Sequence, residues 1–439
     1  APKSASKPAA PVKRALSEDS QFLNSNSEKF VVNGTGVPEV NFDLGDPNIT
    51  NATVNELFFW FFPSANELAR QRDRHLAQRR AGCSSMDGLF QENGPFQWQS
   101  GTFEPQPNPF AWTNLTTWCT GLSLAAPGAP AQIKNETDVA RGLCWFWKNF
   151  IETFEMQGVD VYFTGESYAD NVNIPYISSY FLDQNDTTYY NVKGIQINDP
   201  SIGSGAPSSG CSRGGRAEAC GYNAFMDLAL TFPPPGKFPR AYLLRHGQPV
   251  ALRLRRSRRH LPGRTVRQPC FNFYHITDYC PFLWDELGFP SLGRRAEQLL
   301  QPLPTCKRLS TQRTNNVLVG NGNLDYLILS NGTLATLNNM TWNGAQGFSS
   351  SPFIDKFFVP YNPTIGDAIA ETLFQSDIPT VSVGLVAGGG YFGTTHTERG
   401  LTFVTVDHAG HEIPQYVPGA GYRQLEFLLV GNFTGTTAL

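Results

Sequence analysis

The apolar residues of this chain are arranged in short unbroken runs and in one long stretch at helical spacing. Leu57-Phe58-Phe59-Trp60-Phe61-Phe62 is such a run, and with the alternation around Phe42 it makes Val31 to Phe62 read as early strands of a mixed sheet. From Val139 to Met156, Trp145, Phe146, Trp147, Phe150, Ile151 and Phe154 recur at roughly helical intervals, and Val159-Asp160-Val161-Tyr162-Phe163 follows as a short buried strand. A helix leading straight into a buried strand predicts a parallel unit. Ile174 to Leu182 reads as a further helix, and Val317-Leu318-Val319 and Phe403-Val404-Thr405-Val406 read as central strands, each running into a turn that contains glycine. Between them the pattern fades. Residues 201–313 have weak periodicity, many Pro and Gly and most of the cysteines. The predicted organisation is a mobile N-terminal or pro-segment remnant over 1–29, a core built from 30–200 with 314–439, and an insertion or cap over 201–313.

Three of these strand ends carry reactive residue types. Gly165-Glu166-Ser167-Tyr168-Ala169 lies between the strand ending near Phe163 and the helix beginning at Ile174, the context a nucleophile turn requires, and its small neighbours let the backbone turn sharply under the Ser167 hydroxyl. A serine hydroxyl is a weak nucleophile without a base. His411, in Asp407-His408-Ala409-Gly410-His411-Glu412-Ile413-Pro414, is the candidate base. Asp325, in Gly322-Asn323-Leu324-Asp325-Tyr326, could orient the imidazole and stabilise its cation. Each alone reads equally well as an ordinary cap, loop histidine or turn aspartate. The order Ser, Asp, His, each after a strand, is that of α/β-hydrolases.

Composition narrows the setting. Of 439 residues 16% are charged and 13% aromatic, which suits a globular chain, and the formal net charge of −3 gives no nucleic-acid footprint. No apolar run reaches the 18 residues that a membrane span needs. Nine Asn-x-Thr sequons begin at Asn33, Asn48, Asn51, Asn114, Asn135, Asn185, Asn331, Asn339 and Asn432, so N-linked glycans and passage through the secretory route are expected. Secretion is favoured over vacuolar residence. The eight cysteines would then meet an oxidising compartment and could form disulfides. Cys and His show no metal-ligand spacing, and no metal or diffusible cofactor is expected. Lys13-Arg14 reads equally as a processing site or as two solvated charges.

Gly82-Cys83-Ser84-Ser85, Glu92-Asn93-Gly94-Pro95-Phe96, Gly165-Glu166-Ser167-Tyr168-Ala169 and Gly410-His411-Glu412-Ile413-Pro414, in that order, resemble the serine carboxypeptidases, particularly their secreted fungal members. The resemblance runs from about Phe30 to Asn432. It implies an α/β-hydrolase fold, a central mostly parallel mixed sheet flanked by helices with an inserted cap. It also implies an exopeptidase that releases C-terminal amino acids from peptides through an acyl-enzyme on Ser167, with His411 moving protons and Asp325 holding His411. The Tyr168 N–H would help hold the oxyanion, and Glu92 and Glu166 would share a proton and bind the substrate's terminal carboxylate. Because close carboxyls cannot both ionise, peptide binding should favour acidic pH. The family's bridge implies a Cys83–Cys306 pair, and Cys270 with Cys280 could close a small loop. The alternatives are an acyltransferase or esterase on the same fold, and a catalytically silent secreted binding glycoprotein.

The chain departs from the family where the oxyanion glycines and a carboxylate-binding asparagine should stand. Gln78, Arg79 and Arg80 occupy those places, preceded by the polar Ala69-Arg70-Gln71-Arg72-Asp73-Arg74-His75. A buried parallel strand should not carry arginine at every second position. Similar text recurs from Arg253 to His260. A basic face, a silent enzyme and a shifted reading frame in GC-rich coding DNA all give such runs; the last is favoured because hydrolase-like pattern resumes abruptly on either side.

Overall fold

The computed structural model describes residues 22–32, 44–45, 55–64, 74–79, 86–98, 104–125, 136–167, 174–200, 202, 272, 274–278, 311–362 and 388–431. Its centre is a nine-stranded sheet of β1 (Asn55–Phe62), β2 (Arg74–Arg79), β3 (Thr117–Ala125), β4 (Asp160–Glu166), β5 (Val192–Asn198), β6 (Val317–Gly322), β7 (Lys356–Val359), β8 (Gly390–Glu398) and β9 (Leu401–Val406). The spatial order is β7-β8-β9-β6-β5-β4-β2-β3-β1. The six strands from β9 to β3 run parallel, and antiparallel pairs close both edges.

Alternation along each strand sends side chains to opposite faces. Val161, Phe163, Ile195, Ile197, Val317 and Val319 enter one apolar cluster with α2 (Glu136–Thr153) and α3 (Ile174–Asp183). On the opposite face Tyr162 packs with Leu425 and Leu428, and Leu318 and Val404 pack with Phe427, where Leu425, Phe427 and Leu428 all belong to α4 (Pro418–Val430). In α2, Ala140, Cys144, Trp147, Phe150 and Ile151 form the stripe toward the sheet, with Phe154 buried just past its end, and burying a ring such as Phe150 stabilises the fold by about 2–3 kcal/mol. Trp145 does not join them: at 68% exposed it lies on the far side, because a 3.6-residue period cannot turn three successive aromatics inward. The helix also stops at Thr153, short of the expected Met156, and Glu155 adopts a positive φ. α4 begins on Pro418 and ends at Val430, capped by Gly431, whose φ of 83° is left-handed.

The polar stretch before Gly82, which should not suit a central strand, nevertheless contributes β2. Arg74 to Arg79 run parallel to Asp160–Gly165 of β4, and His75 to Gln78 run parallel to Thr117–Thr120 of β3. The ladder is made by backbone N–H and C=O groups, so apolar residues of the neighbouring strands can dictate where this segment pairs even when its own sequence does not. Two cysteine expectations also change. Cys119 in β3 and Cys144 in α2 are buried free thiols, and burial pushes the Cys119 thiol up to about 12, which keeps it unreactive. Of the N-terminal remnant expected to be mobile over 1–29, residues 1–21 lie outside the described residues, whereas Phe22 and Ser27 are buried and the Phe22 ring meets Phe61 of β1 edge-on at 5.2 Å. Most of the insertion and Cys83, Cys270, Cys280 and Cys306 are also outside the described residues.

Candidate active site

The candidate nucleophile stands at the carboxyl end of β4, in the position a parallel sheet reserves for chemistry. Ser167 has a φ of 63°, left-handed for a residue with a side chain. Such a conformation costs about 1–3 kcal/mol and persists only where surrounding structure enforces it. Here the Ser167 N–H donates to the Asn198 carbonyl at the end of β5 (2.9 Å), and β5 and β6 are themselves paired in parallel.

Asp325 and His411 come from the turns after β6 and β9, adjacent strands whose register runs from Val317 opposite Leu401 to Gly322 opposite Val406. The two side chains meet with Nδ1 of His411 2.7 Å from Oδ2 of Asp325, and both are almost wholly buried. Oδ1 of Asp325 accepts the N–H groups of Leu327 (2.7 Å) and Ile328 (3.0 Å), which fixes the plane of the carboxyl.

This meeting depends on close backbone approach. A Cβ on Gly322 would lie 2.0 Å from the Gly410 carbonyl oxygen, and one on Gly410 would lie 2.2 Å from the Tyr274 carbonyl oxygen. Leu324 N–H donates to Ala409 O (2.8 Å) and Asn323 N–H to Val406 O (2.9 Å), tying one turn to the other. A third segment, predicted only as part of the insertion, braces both. His411 N–H donates to Tyr274 O (2.7 Å), and Ile276 N–H donates to Leu324 O (3.2 Å). The His275 ring stacks on Tyr416 at 3.9 Å and bridges the His408 carbonyl (3.1 Å) and the Asp278 carboxylate (2.6 Å). Burial works against ionised Asp278, but its hydrogen bonds to His275 and Asn272 outweigh it and hold the carboxyl below its ordinary value. Sequence reasoning passed over this brace because His275 and His408 are 133 residues apart, beyond any local pattern.

Carboxyls crowd the same sheet edge. A Glu166 oxygen, a His411 ring nitrogen and a Glu412 oxygen lie within 4.8 Å of one another, and all three residues are buried. A second such group is Asp199, Asp325 and His411. Neither Asp199 nor Glu412 was singled out in the sequence, although Asn198-Asp199-Pro200 closes an apolar strand much as the other site residues do. Glu92 is also buried, in a loop after α1 (Met86–Gln91) that Asn108 pins by donating to the carbonyls of Glu92 (3.1 Å) and Gly94 (2.8 Å). Tyr168 and Arg80 are outside the described residues, whereas the Arg79 backbone pairs with Gly165 of β4. Of the sequon asparagines, Asn185, Asn331 and Asn339 are exposed and Asn114 is half-buried; Asn33, Asn48, Asn51, Asn135 and Asn432 are not described. Among the described residues, no helix is long and apolar enough to cross a membrane.

The likeness to known proteins agrees with this geometry. The family profile described as serine carboxypeptidase matches residues 44–208 and 295–430. A carboxypeptidase Y homolog of Arthroderma benhamiae is 37% identical, over 93% of this chain and 88% of its own length. Serine-type carboxypeptidase F of Aspergillus niger is 32% identical, over 94% and 88%. Among solved structures, the prohormone-processing carboxypeptidase Kex1Δp of Saccharomyces cerevisiae superposes with a TM-score of 0.58 at 17% identity, covering 94% of this chain and 99% of that one, which bears on the fold alone. With the family profile on both halves of the sheet, the chain belongs to the serine carboxypeptidases: it is an α/β-hydrolase and a serine-type exopeptidase acting on peptides.

Proposed function

We propose that Ser167 attacks the last peptide bond of the substrate, that His411 takes the serine proton and later gives it to the leaving amino acid, and that Asp325 orients His411 and balances its charge. The buried 2.7 Å contact between His411 Nδ1 and Asp325 Oδ2 carries this reading, because it places a carboxylate on the ring nitrogen not needed for proton transfer. The acyl-enzyme then forms on Ser167 Oγ and is hydrolysed by water that His411 deprotonates. Tyr168 N–H serves as one oxyanion donor. Labelling by an organophosphate, followed by peptide mapping, tests the assignment: modification of Ser167 with loss of activity supports it, and full activity in S167A rejects it.

In the same proposal Glu92 and Glu166 share a proton and receive the substrate's terminal carboxylate. Glu166 supports this by its place directly before the nucleophile, and both are buried, which favours a retained proton. The sign follows: as pH rises the shared proton is lost, a second negative charge faces the substrate carboxylate, and KM climbs. A KM for blocked dipeptides that stays flat over roughly pH 4 to 8 would exclude the pair. Comparison of a peptide acid with its C-terminal amide distinguishes this clamp from an esterase or acyltransferase site. Processing through the secretory route, with glycans on exposed Asn185, Asn331 and Asn339, and a cap over 201–313 complete the proposal; the family profile leaves 209–294 unmatched, in keeping with such a cap.

A further inference from the structure

β5 ends on Asn198, and the next residue, Asp199, has a φ of 46° and a fully buried side chain. Its Oδ1 accepts two hydrogen bonds of 2.8 Å, from the Asn321 side-chain amide and from Gly322 N–H. Its Oδ2 is also buried and accepts none. The carboxyl stands beside Asp325 and His411, with one polar atom of each of the three residues within 4.8 Å of the others. Asp325 already accepts two backbone N–H groups and meets His411 Nδ1. Two carboxyls this near and this buried do not both ionise. Asp199 is the one that keeps its proton: burial, then the negative charges of Asp325 and Glu166, hold it well above the usual carboxylate range.

We propose that Asp199 is a neutral carboxyl that donates its proton to Asp325 and so positions the carboxylate that orients His411. The inference rests on the Ser167, His411 and Asp325 assignment. Two consequences follow. The donated hydrogen bond opposes rotation of Asp325 away from the imidazole. Its neutrality also leaves His411 facing one negative charge in place of two from this side, so the imidazole is less readily protonated and more of it stays available as a base in acid. The titratable groups around Asp199 are Asp325 after β6, Glu166 at the end of β4, and His411 with Glu412 after β9. Asn321 and Gly322, its hydrogen-bond donors, carry no charge.

The test compares D199A and D199N on a blocked dipeptide across pH, with thermal unfolding followed on the same preparations. D199A is expected to lower kcat about tenfold with little change in KM, as misplacement of a reacting group does. D199N, which offers an amide N–H where the acid offered its proton and a carbonyl where it accepted, should recover most of that loss. Its acidic limb should stay within about 0.3 pH of the parent's, since no charge has been removed. A downward move of that limb by about one pH unit or more would mean that Asp199 is ionised beside His411 and would overturn the proposal. Equal impairment in both variants, or none in either, would overturn it as well. If D199A does not fold, the D199N limb decides alone. An S167A control separates the two readings: activity there refutes the nucleophile assignment, whatever Asp199 does.

Discussion

The two flanks of β4 solve the same structural task by different means. Toward β5, β6 and β9, Ser167 N–H, both turns and the brace at 272–278 are joined by short hydrogen bonds, and glycine stands where backbones nearly touch. Toward β2 the sheet is continued by a segment reading Arg74-His75-Leu76-Ala77-Gln78-Arg79, joined to its neighbours through the backbone ladder. The contrast teaches that strand pairing tolerates a polar sequence, while a buried side-chain contact such as His411–Asp325 does not. The β6–β9 side needs particular residues at particular atoms. Strand β2 needs only N–H and C=O groups to fill its place, but the oxyanion donors expected at its end would also need glycine-like freedom.

Removing Ser167 should show the largest effect: S167A is expected to lose about 10⁵–10⁶-fold in kcat, measured by single-turnover release of the C-terminal amino acid. D325N comes next, with a loss of about 10⁴-fold, because the amide favours the wrong imidazole tautomer. A loss below tenfold would place orientation of His411 elsewhere. On the β2 flank, replacing Arg79 and Arg80 together by glycine should raise kcat by about 10²–10³-fold if the arginines block an oxyanion donor. Peptide mapping across 69–81 complements this, since glycines found there in the natural protein would trace the arginines to the reading frame. G322A tests the close approach of the two turns. A Cβ 2.0 Å from the Gly410 carbonyl oxygen should lower stability by about 2–3 kcal/mol in urea unfolding and weaken catalysis with it.

The smallest expected effect concerns stability and pH. Asp199 keeps its proton in the fold but releases it near pH 4 when unfolded, so the folded state binds more protons above that pH. Its contribution is therefore fully present below about pH 4 and is lost progressively as pH rises through its elevated folded pKa. D199N removes that slope, and the difference in Tm between D199N and the parent should grow in favour of D199N as pH is raised from about 4. A constant difference would show that the Asp199 pKa is not raised by folding.

How much of this was legible in the sequence follows the same divide. Ser167, Asp325 and His411 could be found because each sits one turn beyond an apolar strand, and period and punctuation are local signals. β4, β6 and β9, and helices α2 and α3 were readable for that reason, with errors confined to helix ends and the outward face at Trp145. Asp199 escaped because an aspartate before a proline resembles any turn, and only the placement of Asn321 and Gly322 gives it a purpose. The brace at 272–278 escaped for a longer-range reason: its partners are two turns more than forty residues away in the chain, brought near only by β6 and β9. The place of a central strand at β2 was legible, but its arginines were not accounted for by it, since the pairing there is made by the backbone ladder.

The brace has a practical consequence for anyone wishing to exchange substrate preference among these enzymes. The natural unit to transplant is the proposed cap over 201–313, which separates β5 from β6 in the chain. Its second half, however, carries Tyr274 and His275, which respectively accept the His411 N–H and meet the His408 carbonyl. A graft cut at both edges of the insertion would remove a bearing of the proton-transfer machinery together with the specificity it was meant to alter. Chimeras should therefore be joined before Asn272, leaving Asn272 to Asp278 with the host.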